Sequence, residues 1–107
     1  MARRNPFELI YDPETVGHLL TIDLKHHRLI KRTIKENLSF EPEIETRNRK
    51  PLLRPSSLGV DWELRLGPDN RFRVFYRTDF AGHAVHILAI GVKVGSRLFI
   101  KGKVFEL

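Results

Sequence analysis

Two consecutive segments in the second half of the chain alternate strictly between apolar and polar residues. The first is VDWELRLG, residues 60–67, and the second is RFRVFYRTD, residues 71–79, with Pro-Asp-Asn between them. Side chains alternate between the two faces of a strand, so each segment is predicted to be a half-buried strand. The intervening turn residues predict that the two strands form a β-hairpin.

The first half of the chain has helical spacing instead. Asp12 and Pro13 supply an N-cap and a first helical residue, and a second helix is predicted to begin near Asp23 and to end at Phe40 and Pro42. The predicted buried stripes are Val16, Leu19, Leu20 and Leu24 in the first helix, and Leu29, Ile30, Ile34 and Leu38 in the second. The two segments together predict a helical hairpin.

Three further segments are predicted to form strands. FELIY (residues 7–11) is short and β-prone, AVHILAIGVK (84–93) is apolar on both faces as in a central strand, and RLFIKGKVFEL (97–107) fits a small terminal hairpin. The order predicts one α+β domain over residues 1–107. It has an N-terminal strand and a two-helix hairpin packed on one face of a mostly antiparallel sheet of about four strands.

Composition is that of an ordinary soluble domain, with 41% hydrophobic and 30% charged residues. The longest apolar run, ILAIGV at residues 87–92, is far too short for a membrane span of about 20 residues. The start lacks the features of a secretory signal, and the chain has no cysteine, so disulfides and thiolate chemistry are excluded. We expect a cytoplasmic protein.

The charge balance favours a polyanionic partner. Nineteen Lys and Arg against thirteen Asp and Glu give a formal charge of +6, and residues 47–77 hold eight basic but only three acidic residues. The basic connector EIETRNRKPLLRPSSLG, residues 43–59, contributes Arg47, Arg49, Lys50 and Arg54. We interpret this connector as the rim of an RNA-binding face, and a solvated loop is the alternative.

The period of two also gathers charges from distant positions. It places Glu63 and Arg65 on the polar side of one strand and Arg73 and Arg77 on the same side of the next. Like charges facing each other are destabilising, so a cluster without carboxylate partners predicts a bound anion. Lys93, Arg97 and the connector residues Arg49 and Lys50 could complete the cluster. The alternative is that the arginines pair with Glu63, Asp61 or Asp79.

Two residues on the arginine side of these strands are expected to contact RNA. Arg73 is expected to be exposed, and Phe75 shares the arginine side, where it could stack on a base. The histidines do not suggest a metal site, because neighbouring pairs point to different sides, and no cofactor is expected.

Three segments carry a resemblance to a known family. WELRLGPDNRFRVFYRTD, followed by VHILAIGVKVGSRLFI and preceded by the connector ETRNRKPL, resembles the RelE/ParE superfamily of bacterial type II toxin–antitoxin toxins, in its RelE-like branch. The similarity covers nearly the whole chain. It implies a toxin that cuts mRNA without a metal ion, usually on the ribosome, and that is neutralised by an antitoxin protein.

The resemblance also implies roles for particular residues. Arg73 matches the family's phosphate-stabilising arginine, Arg65 a basic residue on the preceding strand, and Lys93 the basic residue after the glycine of the central strand. Glu63 and Phe99 depart from the pattern, because the family often has a basic residue and a tyrosine there. These departures leave Glu63 as the candidate base, with His86, Tyr76 and Lys93 as further proton carriers.

Two alternative functions stay open at this point. A ParE-like inhibitor of DNA gyrase shares the fold and cuts nothing, and a degenerate toxin would bind only its antitoxin. The sequence does not determine the antitoxin, the ribosome requirement, the codon preference or the oligomeric state.

Overall fold

One mixed β-sheet organises the computed structural model, which describes residues 5–53 and 59–106. Within these residues the strands are β1 Glu8–Tyr11, β2 Arg49–Pro51, β3 Trp62–Leu66, β4 Phe72–Asp79, β5 Ala84–Val94, β6 Arg97–Ile100 and β7 Lys103–Phe105. The helices are α1 Glu14–Leu20 and α2 His27–Leu38, with short 3-10 turns at Leu24–His26 and Pro68–Asn70.

Strands β2 to β7 run antiparallel in sequence order, and β1 joins the sheet by pairing in parallel with β5. One edge of β5 pairs with β4 along its length. The other edge is divided between two strands: β1 ends opposite Ile87, and β6 starts opposite Gly91.

The predicted α+β class, with two helices and a mostly antiparallel sheet, is confirmed. The predicted number of about four strands is wrong, since the described residues form seven. The terminal hairpin predicted in residues 97–107 is present as β6 and β7. Strand β2, with three residues, is too short to show a clear alternation.

Both helices lie on one face of the sheet, called here the helix face. Second-helix residues Ile30, Ile34 and Leu38 are fully buried there, as predicted. For the first helix the prediction is confirmed for Leu19, which is buried, and wrong for Val16, Leu20 and Leu24, which are 63%, 78% and 78% exposed. Helix α1 has only seven residues and buries the side that carries Thr15, His18 and Leu19.

A histidine closes the gap in the divided edge of β5. The backbone N–H of Ile90, between the stretches paired with β1 and β6, donates to Nδ1 of His18 at 3.2 Å. An amide nitrogen can only donate, so this ring nitrogen must be unprotonated. Burial lowers the pKa of His18 below its ordinary value of 6.5, with Lys101 acting in the same direction. The neutral imidazole therefore belongs to the fold.

This contact predicts a specific loss of stability in acid. Because the pKa of His18 is lower in the folded than in the unfolded chain, the unfolded chain binds more protons, and stability falls as the pH drops from about 6.5 through the folded-state pKa. We expect His18→Asn, whose amide oxygen can replace Nδ1 as acceptor, to lack this loss of stability in acid. Urea unfolding of the wild type and the variant at pH 7.5 and pH 5 measures the change in the free energy of unfolding. An identical pH dependence would contradict the assignment.

Candidate anion-binding site on the outer sheet face

Three basic side chains meet on the outer face, defined here as the sheet face opposite the helices. Arg65 on β3 lies directly opposite Arg73 on β4, and Arg73 lies opposite Gly91 on β5. Lys93 follows Gly91 by two residues and so is the diagonal neighbour of Arg73, with Cα atoms about 7–8 Å apart in such a pair. The predicted convergence of Arg65, Arg73 and Lys93 is present in the structure.

A carboxylate joins the two arginines, which the sequence analysis expected to be unpaired. Glu63 is 6% exposed, and its Oε1 accepts hydrogen bonds from Nε of Arg65 at 2.5 Å and from Nη1 of Arg73 at 2.9 Å. The prediction of a cluster without an acid partner is therefore wrong, and the alternative of pairing with Glu63 is correct for both arginines. Three positive groups and one negative group leave this cluster a formal charge of +2.

Arg73 is held by the turn between β3 and β4. Its Nε donates to the backbone carbonyl of Asn70 at 2.8 Å. The backbone of this turn is left-handed at Gly67, Asp69 and Asn70, and this conformation presents the carbonyl of Asn70 to Arg73. At Gly67 an added Cβ would lie 2.6 Å from the ring of Phe72. Arg73 is 9% exposed, in contrast to the expected exposure. These contacts engage two of its five N–H donors and fix its guanidinium.

The residue opposite Arg73 has to be glycine because β6 lies close to it. An added Cβ at Gly91 would lie 2.8 Å from the carbonyl oxygen of Phe99 and 3.0 Å from Cδ1 of Leu98. The close pairing of β5 and β6 then sets Leu98 opposite Lys93. The same glycine keeps a side chain from standing next to the Arg73 guanidinium.

Two adjoining depressions open on this part of the outer face, and both are lined by Arg73 and Lys93. The first, of about 480 Å³, is also lined by Pro68, Asp69, Arg71, Val94 and Gly95. The second, of about 430 Å³, is also lined by Glu63, Ser96, Leu98, Phe105 and Glu106. Their volumes fall in the range of small-ligand sites.

Lys93 is the most accessible charge of the cluster. Its side chain is exposed, and no carboxylate among residues 5–53 and 59–106 forms an ion pair with it. An ammonium group between two depressions, next to a fixed guanidinium, is a suitable arrangement for an anion such as phosphate.

Part of the outer face is covered, which changes the role of Phe75. This residue lies on the arginine side, as its position in β4 predicts, but it is fully buried among Val60, Ala89 and Ile100 in a second apolar cluster. A buried ring cannot stack on a base, so the predicted stacking role of Phe75 is wrong. The residues of the second cluster are distant in sequence, and the period of two does not indicate that they cover each other.

The candidate proton carriers are separated by the sheet. Tyr76 is buried on the helix face, where its hydroxyl donates to the carbonyl of Pro42 and burial raises its pKa. Phe99 pairs with Val92 and therefore lies on the face opposite Lys93, so a tyrosine here would not point into the cluster. His86 lies opposite Arg77, away from both depressions. Among the predicted carriers, Lys93 lines both depressions and Glu63 lines the second.

The predicted RNA-contacting basic residues do not all lie on the face of the cluster. Arg47, Arg77 and Arg97 are exposed. Arg97 lies opposite Val94, the residue after Lys93, so it is directed to the other face of the sheet, and the prediction that it completes the cluster is wrong. Lys50 lies opposite Glu63, so it shares the outer face, and its Nζ pairs with Glu45 at 3.2 Å. Arg54 lies outside the described residues. Arg77 follows Arg73 by four residues on the same strand, which separates them by about 13 Å.

Arg49 has a structural position rather than the predicted position at a ligand. It lies opposite Leu64, which directs it to the helix face, and it is 7% exposed. Its Nη1 donates to the carbonyl of Asn37 in the last turn of α2 at 2.6 Å, and its Nε donates to the carbonyl of Ile44 at 2.9 Å. A cation here complements the negative end of the helix. This corrects the prediction that Arg49 faces RNA.

Several site residues were missed by sequence reasoning. Ser96, Leu98, Phe105 and Glu106 line the second depression, and the carbonyl of Asn70 holds Arg73. The tail was predicted to form its own hairpin, without a register against the central strand. The turn at Gly95, which folds β6 back onto β5, is the signal that could have placed Leu98 beside Lys93.

Comparisons with known proteins do not assign a family. No protein-family model matches the chain, and no curated protein sequence matches it. In the described part of the chain, no helix is long and apolar enough to cross a membrane, and no three His, Asp or Glu side chains come together as a metal site would require.

The position of Arg49 predicts a stability effect that an RNA-contacting residue would not have. Arg49→Ala leaves two partly buried carbonyls without their charged donor, so we expect the free energy of unfolding to fall by about 1.5–3 kcal/mol. Arg47→Ala, two residues away and exposed, is the matched control and should change it by less than about 0.5 kcal/mol. Chemical denaturation measures both. Equal stability of the two variants would contradict the anchoring role.

The two bonds to Glu63 are predicted to differ in strength. The Arg73 side chain is 11% exposed and that of Arg65 is 38% exposed, so water screens the second pair more. Double-mutant cycles with Glu63→Gln, Arg73→Gln and Arg65→Gln should give the larger coupling energy for Glu63 with Arg73. A coupling energy that is equal or larger for Arg65 would show that Glu63 is organised mainly around the exposed arginine.

Proposed function

We propose that this protein is a RelE-like toxin that cleaves mRNA without a metal ion, inhibits translation in the cytoplasm and is neutralised by an antitoxin protein. The resemblance of the segments 62–79 and 85–100 to the RelE/ParE superfamily supports the class. The observation that carries the activity is the cluster on the outer face, where Arg73 and Lys93 line both depressions and Arg65 lies beside them.

The proposed reaction is attack of a ribose 2′-OH on the adjacent phosphorus. The new 2′-O–P bond forms as the P–O5′ bond breaks, which leaves a 2′,3′-cyclic phosphate and a 5′-OH. Negative charge grows on the non-bridging oxygens, so fixed donors lower the barrier most. Arg73, held by Asn70 and Glu63, is such a donor, and the Lys93 ammonium supplies a second positive charge.

Two protons have to move in this reaction, one from the 2′-OH and one to the leaving 5′ oxygen. Glu63 is the acceptor in this proposal, because both arginine bonds end on Oε1 and leave the capacity of Oε2. Lys93 is the donor to the leaving oxygen. The two groups line the same depression, which places both within reach of one phosphodiester.

The surrounding charge suits a large RNA partner. The chain carries a formal charge of +6, and Arg77 is exposed on the same strand and face as Arg73. Exposed basic groups engage phosphates along one RNA strand, which strengthens binding at low salt. We include the ribosome as the proposed setting of cleavage, with mRNA as the substrate.

The pairing of Glu63 favours one other class of function. Glu63 neutralises part of the charge that a nuclease would use. This suits a toxin that binds without cutting, either a ParE-like gyrase inhibitor or a degenerate toxin that binds only its antitoxin.

Controlled expression in a bacterium, with mapping of mRNA 5′ ends, tests the nuclease. Lys93→Ala is the main variant, because Lys93 is exposed and its loss should leave the fold intact, and Arg73→Gln is the second. We expect wild type to arrest growth and create new 5′ ends within codons, with cleavage reduced roughly 100-fold in either variant. Arg28→Ala, an exposed change on α2, is the control and should cleave as wild type does.

The other outcomes separate the alternatives. Growth arrest with intact mRNA and a DNA-damage response would replace the nuclease with the gyrase inhibitor, and no arrest would indicate the degenerate toxin. Because Arg73 is buried, thermal melting of Arg73→Gln has to accompany the assay. Lost cleavage in a protein that melts like wild type identifies a role in the reaction.

A further inference from the structure

We infer that the two depressions hold the two nucleosides on either side of one phosphate, and that the second depression selects a base bearing an amino group over uracil. This inference rests on the proposed function in one respect, that the ligand is RNA. It adds a site of base recognition that includes Leu98, Phe105 and Glu106.

The shared lining residues set the position of the phosphate. Arg73 and Lys93 are the two residues common to both depressions, and both are cationic. A phosphate bound between them has one depression on each side. A dinucleotide places a nucleoside on each side of its phosphate, so its shape corresponds to this arrangement.

The second depression has an apolar surface next to the ammonium group. Lys93, Leu98 and Phe105 form a row across β5, β6 and β7, since Lys93 lies opposite Leu98 and Leu98 lies opposite Phe105. Leu98 and Phe105 are half-buried and pack against the second apolar cluster, which holds the aromatic ring in place. A half-exposed, fixed aromatic ring beside a phosphate site is suited to stacking on a base.

A carboxylate at the edge of this surface provides selectivity. Glu106 follows β7, lines the second depression and is exposed. An ionised carboxylate only accepts hydrogen bonds and repels phosphate. It can accept from the exocyclic amino group of cytosine, adenine or guanine, and uracil has no such group. The hydroxyl of Ser96 offers a further polar contact in the same depression.

The first depression lacks these features. Apart from the shared residues, its lining is Pro68, Asp69, Arg71, Val94 and Gly95, with no aromatic side chain. It can hold a ribose and its phosphate-proximal atoms, but it offers no ring on which a base could stack. The two sides of the phosphate are therefore unequal, and sequence preference arises on the side of Phe105.

Binding of short ligands that cannot be cleaved tests the inference. The full chain is titrated with inorganic phosphate and with the 2′-O-methylated dinucleotides CpC and UpU, by calorimetry or by NMR shifts. We expect CpC to bind more tightly than UpU, and both more tightly than phosphate. Phe105→Ala should weaken CpC roughly 5- to 100-fold, the effect of losing one stacked base, and leave phosphate binding unchanged.

Two further variants make the result specific. Val104→Ala, an exposed change on the same strand but on its other side, should bind all three ligands as wild type does. Glu106→Gln should reduce the difference between CpC and UpU. Equal binding of CpC and UpU by wild type, or equal effects of Phe105→Ala and Val104→Ala, would overturn the inference.

Failure of base recognition can be distinguished from failure of the proposed nuclease function. If base recognition fails while mRNA cleavage still depends on Lys93 and Arg73, the nuclease stands and this inference falls. If wild type leaves mRNA intact but binds CpC in a way that depends on Phe105, the base site stands and the cleavage falls.

Discussion

The divided edge of β5 is the constraint on which the rest of the structure depends. Backbone N–H and C=O groups in the interior must be paired, yet β1 and β6 each cover only part of this edge. Two sequence features follow. His18 supplies an acceptor in the gap, and Gly91 allows β6 to approach closely. The approach of β6 sets Leu98 beside Lys93, and β4 on the other edge sets Arg73 beside Lys93, so the site is assembled around β5.

The cluster combines a rigid cation with a mobile one. Arg73 is buried and fixed by a carbonyl and a carboxylate, whereas Lys93 is exposed and can adapt to a ligand. Glu63 has two effects on the cluster. It allows Arg65 and Arg73, which would otherwise repel each other, to face each other across β3 and β4. It also lowers the net positive charge available to a ligand. Fixed geometry is thereby gained in exchange for part of the electrostatic attraction.

Much of the fold could be predicted from the sequence because side-chain alternation reports directly which face a residue occupies. Alternation in 60–67 and 71–79 gives β3, β4 and the shared face of Arg65 and Arg73. It does not report which groups then bond to each other. Glu63 was assigned to the correct face, but its bonds to both arginines depend on rotamers and on how tightly the strands pack.

The other misassignments have related physical causes. A seven-residue helix with apolar residues on several sides does not define its buried side, and α1 is oriented by contacts with β5 that local spacing does not contain. Arg49 looks like a surface cation in the sequence, because the carbonyls that bind it belong to residues 37 and 44. Phe75 is covered by residues from β5 and β6, which only the three-dimensional arrangement brings together.

The parallel pairing of β1 with β5 also affects how the molecule is made. Residues 8–11 are synthesised well before residues 84–87, with which they pair. Until that strand has left the ribosome, α1 and α2 have no complete sheet on which to bury their apolar sides. The cationic cluster needs the same strand for Gly91 and Lys93. Nascent chains should therefore stay without an assembled site until residues 84–94 have left the ribosome.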